Sequence, residues 1–174
     1  MKIVILCVVS CIMVVLAGVT SIWLRLGNHY TCCVVKPDLT NKSCFEDWHQ
    51  FNDRCFLYIK KTMTWLEAEK NCQIMGANLT SVRSTDEYKE IQTLTFPNYR
   101  KSWIGGSAPQ KGNAWRWSDG QKFDYTNWCY GEPNSPEDQR CLLMNFSEEK
   151  CWDDDECGLN LTSVCARSVL SLMD

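Results

Sequence analysis

The chain has 174 residues, 45% of them hydrophobic, and a net charge of −3 drawn from acidic and basic residues mixed along its length. That length allows one domain with its own core plus a short appendage, and the charge balance leaves no basic stripe for a nucleic-acid backbone and no polycationic tail for anionic lipid. Its 12 cysteines are too many for a reducing compartment unless they hold metal; they lack paired Cys-x-x-Cys spacing and only His29 and His49 could add imidazole, so oxidised pairs outside the cytoplasm are expected.

Lys2 is followed by an apolar stretch, Ile3 to Leu24, broken only by Ser10, Thr20 and Ser21. Residues 1–24 therefore read as a secretory targeting segment, either a cleaved signal peptide or a retained signal anchor. Small residues (Ala17, Gly18, Ser21) suit cleavage, while about 20 apolar residues suffice to span a bilayer. Lys2 and Arg25 lie on opposite flanks, so charge does not set an orientation. Residues 25–43 lack an apolar period and read as a linker or stalk carrying Cys32 and Cys33. Asn41, Asn78, Asn145 and Asn160 begin Asn-x-Ser/Thr sequons, usable only on the secretory route. The folded domain is expected over 44–167, with 168–174 as a tail.

Trp65, Ala68, Cys72 and Met75 fall on one helical face; Thr64 with Glu67 makes a capping box and Gly76 supplies the stop, predicting a first helix. A second starts at Ser84, with Glu87 three residues on, runs through Tyr88, Ile91 and Leu94, and must end before Pro97. From Ser102 onward brief apolar runs (Trp103-Ile104, Trp115 to Trp117, Cys141 to Phe146, Ser163 to Ala166) alternate with turn-forming clusters and read as short strands. The stretch from about Asp119 to Arg140 is too long for an ordinary connection and is full of turn residues, which marks a functional loop. Trp65, Trp103, Trp115, Trp117 and Trp152 are assigned to the core; Arg54, Lys60 and Lys61 to the solvated surface.

Six features stand in a fixed order: Cys44 with Cys55, Trp65 with Cys72, Trp103-Ile104-Gly105-Gly106, Glu132-Pro133-Asn134, Cys151-Trp152-Asp153-Asp154, and Cys157 with Cys165. Over about residues 44–167 the chain resembles the C-type lectin-like family, and within it the fish secreted lectins and type II antifreeze proteins, through Trp103 to Gly106, Met144-Asn145 and Lys150 to Trp152. The resemblance implies an α+β fold of two helices with short antiparallel sheets and a long calcium- and sugar-binding loop. It also implies the pairs Cys44–Cys55, Cys72–Cys165 and Cys141–Cys157, with Cys129–Cys151 as an added loop bridge. Cys32 and Cys33 are left without family partners, and a disulfide-linked homo-oligomer or pairing with a small thiol would use them.

Calcium takes six to eight oxygens, so its sites gather carboxylates and amide carbonyls on loops. By the resemblance Glu132 and Asn134 flank a cis proline, Pro133, and bind one Ca²⁺ with Gln139, Asp153 and Asp154. Glu132, Asn134 and Asp153 would also hydrogen-bond vicinal sugar hydroxyls, and Trp128 or Tyr130 could stack on the ring. Glu-Pro-Asn resembles the mannose-type pattern. Three positions depart from the family: Gln139 stands where a glutamate is usual, with Glu137 as a possible substitute; Asp153 stands for an asparagine; and Ser135 and Arg140 replace carboxylates of an auxiliary site, so one ion is expected. No nucleophile elbow or His-Glu-x-x-His helix points to catalysis. A secreted, calcium-dependent lectin for mannose-like glycans is the implied function. The alternatives are an ice-binding protein of the type II antifreeze kind and a type II membrane receptor for a protein ligand, which needs the anchor retained.

Overall fold

The computed structural model of the chain describes residues 44–109, 114–134 and 137–169 in full, and residues 4–8, 20–26 and 29–36 as backbone strands. Two units separate, one holding the N-terminal strands and one spanning Cys44–Val169. In the first, β1 (Val4–Val8), β2 (Thr20–Leu26) and β3 (His29–Lys36) form an antiparallel sheet in the order β1-β3-β2. These strands fall inside the stretches read above as targeting segment and linker. Their β-branched and aromatic residues (Ile22, Trp23, Tyr30, Thr31, Val34, Val35) favour extended backbone even without strict alternation. The side chains of Cys7, Cys32 and Cys33 lie outside what the structure describes.

Both expected helices are present where their caps put them. α1 (Trp65–Ile74) starts at Thr64, whose hydroxyl accepts from the Glu67 N–H while the Glu67 carboxylate accepts from the Thr64 N–H, and it stops at Gly76 with φ +67°. α2 (Thr85–Thr93) starts at Ser84, whose hydroxyl accepts from the Glu87 N–H. Ala68 and Cys72 on α1, and Tyr88 and Ile91 on α2, are buried.

Around the helices lies an eight-stranded sheet: β4 (His49–Phe51), β5 (Arg54–Met63), β6 (Asn78–Leu79), β7 (Ser102–Ser107), β8 (Arg116–Trp117), β9 (Cys141–Phe146), β10 (Cys151–Asp155) and β11 (Leu161–Ser168). The main path runs β10-β9-β7-β11-β5-β4, with β6 on β11 and β8 on β7. All pairs are antiparallel except β11 with β7. β11 continues through Ser168, and the Val169 N–H donates to Asp53 O at 2.8 Å.

Two buried clusters form the core. One gathers Phe56, Ile91, Ile104, Leu142 and Trp152; the other gathers Leu79, Trp103, Leu143 and the Cys72–Cys165 bridge. All four bridges expected from the resemblance are formed: Cys44–Cys55, Cys72–Cys165, Cys129–Cys151 and Cys141–Cys157. Cys72–Cys165 fastens α1 to the central strand β11 across a sequence separation of 93, a closure that removes roughly 4–5 kcal/mol of unfolded-chain freedom in the loop-entropy picture.

Arg54 is a correction to the sequence reading. It is 3% exposed rather than solvated, and its guanidinium donates to Glu87 Oε1 at 2.9 Å, to Ser81 O at 3.0 Å and to Ser81 Oγ at 3.1 Å. The cause is its place at the start of β5, opposite the α2 carboxylate, a tertiary pairing that one-dimensional polarity cannot reveal. Asn145 is likewise buried. Its amide donates to Thr95 Oγ1 at 3.0 Å and Arg100 O at 3.1 Å, which removes it from the exposed sequons.

Candidate metal centre

The described residues of the long connection between β8 and β9 form no strand of their own, and Trp152 fixes its near half. Trp128 bridges to Trp152; the Cys129 N–H donates to Trp152 O at 2.9 Å and the Trp152 N–H to Asn127 O at 2.8 Å. The buried Trp152 ring meets Tyr88, Trp117, Phe123, Tyr125 and Trp128 at centroid distances of 5.7 to 6.4 Å, an aromatic hub between loop and core. The Cys129–Cys151 bridge fastens the same point covalently.

From this anchor the chain turns outward through Gly131, φ +90°, where the Glu132 N–H donates to Cys129 O at 3.0 Å. The Glu132–Pro133 bond is cis, as the resemblance implied. Beyond it the Asn134 N–H donates to Asp154 Oδ1 at 3.3 Å and its side-chain amide to Glu132 Oε1 at 2.9 Å. The loop returns at Arg140, whose N–H donates to Asp155 O at 3.2 Å. Loop and β10 are thus joined at both ends, and since β10 is an edge strand, its side away from β9 is open to the loop.

What this brings together is oxygen. Glu132, Asp153 and Asp154 each offer a carboxylate oxygen within 4.8 Å of the others. Asp154 is fully buried and Asp153 is 6% exposed. Among the described residues no lysine or arginine forms an ion pair with any of the three. Such crowding is unfavourable for the ionised forms. Burial, then the neighbouring Glu132 charge, pushes the Asp153 carboxyl up to about 7, and burial likewise raises Asp154.

Two oxygens of the cluster, Glu132 Oε2 and Asp154 Oδ2, are buried and accept no hydrogen bond, and so is Gln139 Oε1 on the return of the loop. Buried acceptors normally find donors, and leaving one unmet costs about 1–3 kcal/mol. Unmet oxygens from carboxylates and an amide are the donor set of a hard divalent cation, and calcium suits the mixture better than zinc, which prefers nitrogen and sulfur. The residues present therefore fit the ion that the resemblance implies.

Of the residues expected at the site, Glu132, Asp153 and Asp154 are brought together, and Asn134 is tied to two of them. Gln139, not the exposed Glu137, carries a buried oxygen without a donor. Ser135 lies outside the described residues, and Arg140 is half-buried with its Nε unpartnered. Trp128 is half-buried against Trp115 at 4.9 Å, whereas Tyr130 is fully exposed beside the loop. The burial of Asp153 and Asp154 had no sequence signal, because a run of acidic residues ordinarily marks a solvated turn.

Residues 61–167 match the model of the lectin C-type domain family. The type-2 ice-structuring protein of Hemitripterus americanus is 40% identical over 124 residues, covering 71% of this chain and 74% of that protein. Ladderlectin of Oncorhynchus mykiss is 38% identical, covering 69% and 65%. Among solved structures, herring type II antifreeze protein superposes with a TM-score of 0.71 at 36% identity over 73% of this chain and all of that one. A Ca²⁺-dependent type II antifreeze protein in its Ca²⁺-free form (TM-score 0.70, 35%, covering 72% and 100%) and a calcium-independent one (0.68, 36%, covering 74% and 96%) are similar as well.

Proposed function

The chain belongs to the C-type lectin domain family, and from that premise we propose that it is a calcium-dependent, sugar-binding protein without catalytic activity, acting outside the cell. The ion is held by Glu132, Asn134, Gln139, Asp153 and Asp154. The observation that carries this reading is the set of buried, donor-less oxygens on Glu132, Asp154 and Gln139. When bound, Ca²⁺ neutralises the crowded carboxylates and offers remaining coordination places to vicinal hydroxyls of a sugar. Glu132 supplies acceptors and the Asn134 amide a donor to those hydroxyls, the arrangement of a mannose-type preference. Asp153, an acceptor where the family has an amide, reduces the donors offered to the sugar.

Four bridges suit an oxidising compartment and so support secretion; a retained anchor would instead display the same domain on the cell surface. One shallow ion-mediated contact is weak, on the order of millimolar. Useful avidity then needs linked copies, and intermolecular bridges through Cys32 and Cys33 would supply them.

Ice binding is a second reading of comparable support, favoured by the relatives named above and by the existence of a calcium-dependent protein among them. A glycan array with and without calcium, paired with an ice-recrystallisation assay, separates the two. Retention on mannose resin that a chelator reverses is the outcome for the lectin. Calcium-dependent inhibition of recrystallisation with an empty array is the outcome for ice. Absence of any calcium uptake by titration calorimetry would overturn both calcium-based readings.

A further inference from the structure

A second concave feature shares no residue with the carboxylate cluster. Between β5 and the turn that follows α2 lies a cleft of about 270 Å³, lined chiefly by Tyr58 and Lys60 on one wall and by Phe96, Asn98 and Arg100 on the other. Tyr58 and Lys60 are two apart on a strand and so leave it from the same face. The lining contains no carboxylate, and among the described residues neither Lys60 nor Arg100 forms an ion pair. In a chain of net charge −3 that is a local concentration of uncompensated positive charge. Phe96 is 69% exposed, with its ring edge-on to Tyr99 at 5.9 Å.

The turn is held firmly from below. Tyr99 N–H donates to Thr95 O at 3.0 Å, and Arg100 O accepts both from Ser102 Oγ at 2.9 Å and from the buried Asn145 amide at 3.1 Å. The wall is therefore preorganised, which lowers the cost of ordering it around a ligand. Its lining is two cations, an amide, a phenol and an exposed aromatic face. Such a set matches a small ring with one apolar face, hydroxyls at its edge and an anionic substituent. The volume lies just under the roughly 300–1,000 Å³ of drug-sized pockets and so suits a single ring.

We propose that this cleft is a second, calcium-independent subsite for an acidic sugar ring bearing a sulfate or carboxylate, paired by Lys60 and Arg100 and stacked on Phe96. It goes beyond the calcium-site reading and does not depend on it. The test is an NMR titration of the bridged domain in excess chelator with a sulfated disaccharide, a sialylated trisaccharide and neutral lactose. The first two arms distinguish the sulfate from the carboxylate source. Binding on the order of millimolar to an acidic sugar but not to lactose, with shifts at Tyr58 and Asn98, is expected. Lys60→Gln with Arg100→Gln should weaken it about tenfold, and Phe96→Ala several-fold, while Lys122→Gln, at an exposed cation elsewhere, changes nothing. Equal loss in the Lys122 variant would reduce the effect to net charge, and no acidic-sugar binding in chelator, or unchanged binding by the double variant, overturns the subsite. Because chelator is present throughout, failure here leaves the calcium site untouched, and failure of calcium uptake leaves this subsite standing.

Discussion

The backbone N–H of Asn134 donates to Asp154 Oδ1 at 3.3 Å, so the tip of the long loop rests on the carboxylate of the strand facing it. The other oxygen of that carboxylate is buried without a donor. One atom of Asp154 thus positions the loop while its partner stays available for an ion.

Asp154→Asn keeps an acceptor for Asn134 and removes one negative charge. In chelator its melting temperature should equal or slightly exceed that of the parent, because repulsion from Glu132 is relieved. In calcium the parent should gain about 2.7 kcal/mol at an ion concentration 100-fold above Kd, and the variant under about 1 kcal/mol. Calorimetric scans across a calcium titration measure both; an equal gain in the variant would exclude Asp154 from the site.

The pH dependence follows from Asp153. Its carboxyl in the folded domain holds a proton up to about 7, whereas in the unfolded chain it has already ionised near its ordinary value. The folded state therefore binds more protons through that interval, and without ion this group makes stability fall as pH rises toward about 7 and level off above it. Calcium must displace the proton, so uptake at pH 6 should release close to one proton per ion and uptake at pH 8 almost none. Titrations in buffers of different ionisation enthalpy would register the difference, and pH-independent proton release would contradict the assignment.

Arg54 and Glu87 form a buried pair at 2.9 Å. Arg54→Met should cost about 3–5 kcal/mol, because it strands the Glu87 carboxylate in the core, and adding Glu87→Gln should restore at least half of that loss. Urea unfolding of the single and double variants tests it; equal instability of the two would mean that packing, not charge, dominates.

The paired glycines of Trp103 to Gly106 have a steric reason. A Cβ at Gly105 would lie 2.5 Å from the backbone oxygen of Leu79, and one at Gly106 would press on the buried Leu142 side chain. Overfilling of this kind costs roughly 1–3 kcal/mol, and since backbone yields less readily than a side chain, Gly105→Ala should destabilise more than Gly106→Ala. The ranking is read from denaturation midpoints.

Peptide mapping of the protein expressed through a secretory host should find glycan at the exposed Asn160 and none at Asn145, whose amide is spent on Thr95 and Arg100. Occupancy at Asn145 in folded material would contradict the buried placement.

Both helices were legible because capping is local: Thr64 with Glu67, Ser84 with Glu87 and the stop at Gly76 are decided within a few residues. β5 was not, because its alternation is disrupted at one end by a buried arginine and at the other by the exposed Lys60 and Lys61. The bridges became legible only through resemblance, since connectivity is a three-dimensional property. At the site, residue types around Pro133 pointed to a gathering of oxygens, but nothing pointed to the near-zero exposure of Asp153 and Asp154. Their burial is set by Trp152 next in line and by the loop closing over an edge strand, neither of which leaves a periodic trace.

The oxygens near Pro133 come from two sources, a strand and a turn. Asp153 and Asp154 sit in a laddered strand directly after the buried Trp152. Glu132 and Asn134 stand on a turn and are less buried, Glu132 partly and Asn134 exposed. The two halves therefore differ in freedom: the turn can take other side chains, while the strand holds its carboxylates in register with Leu143 and Leu142 of its neighbour.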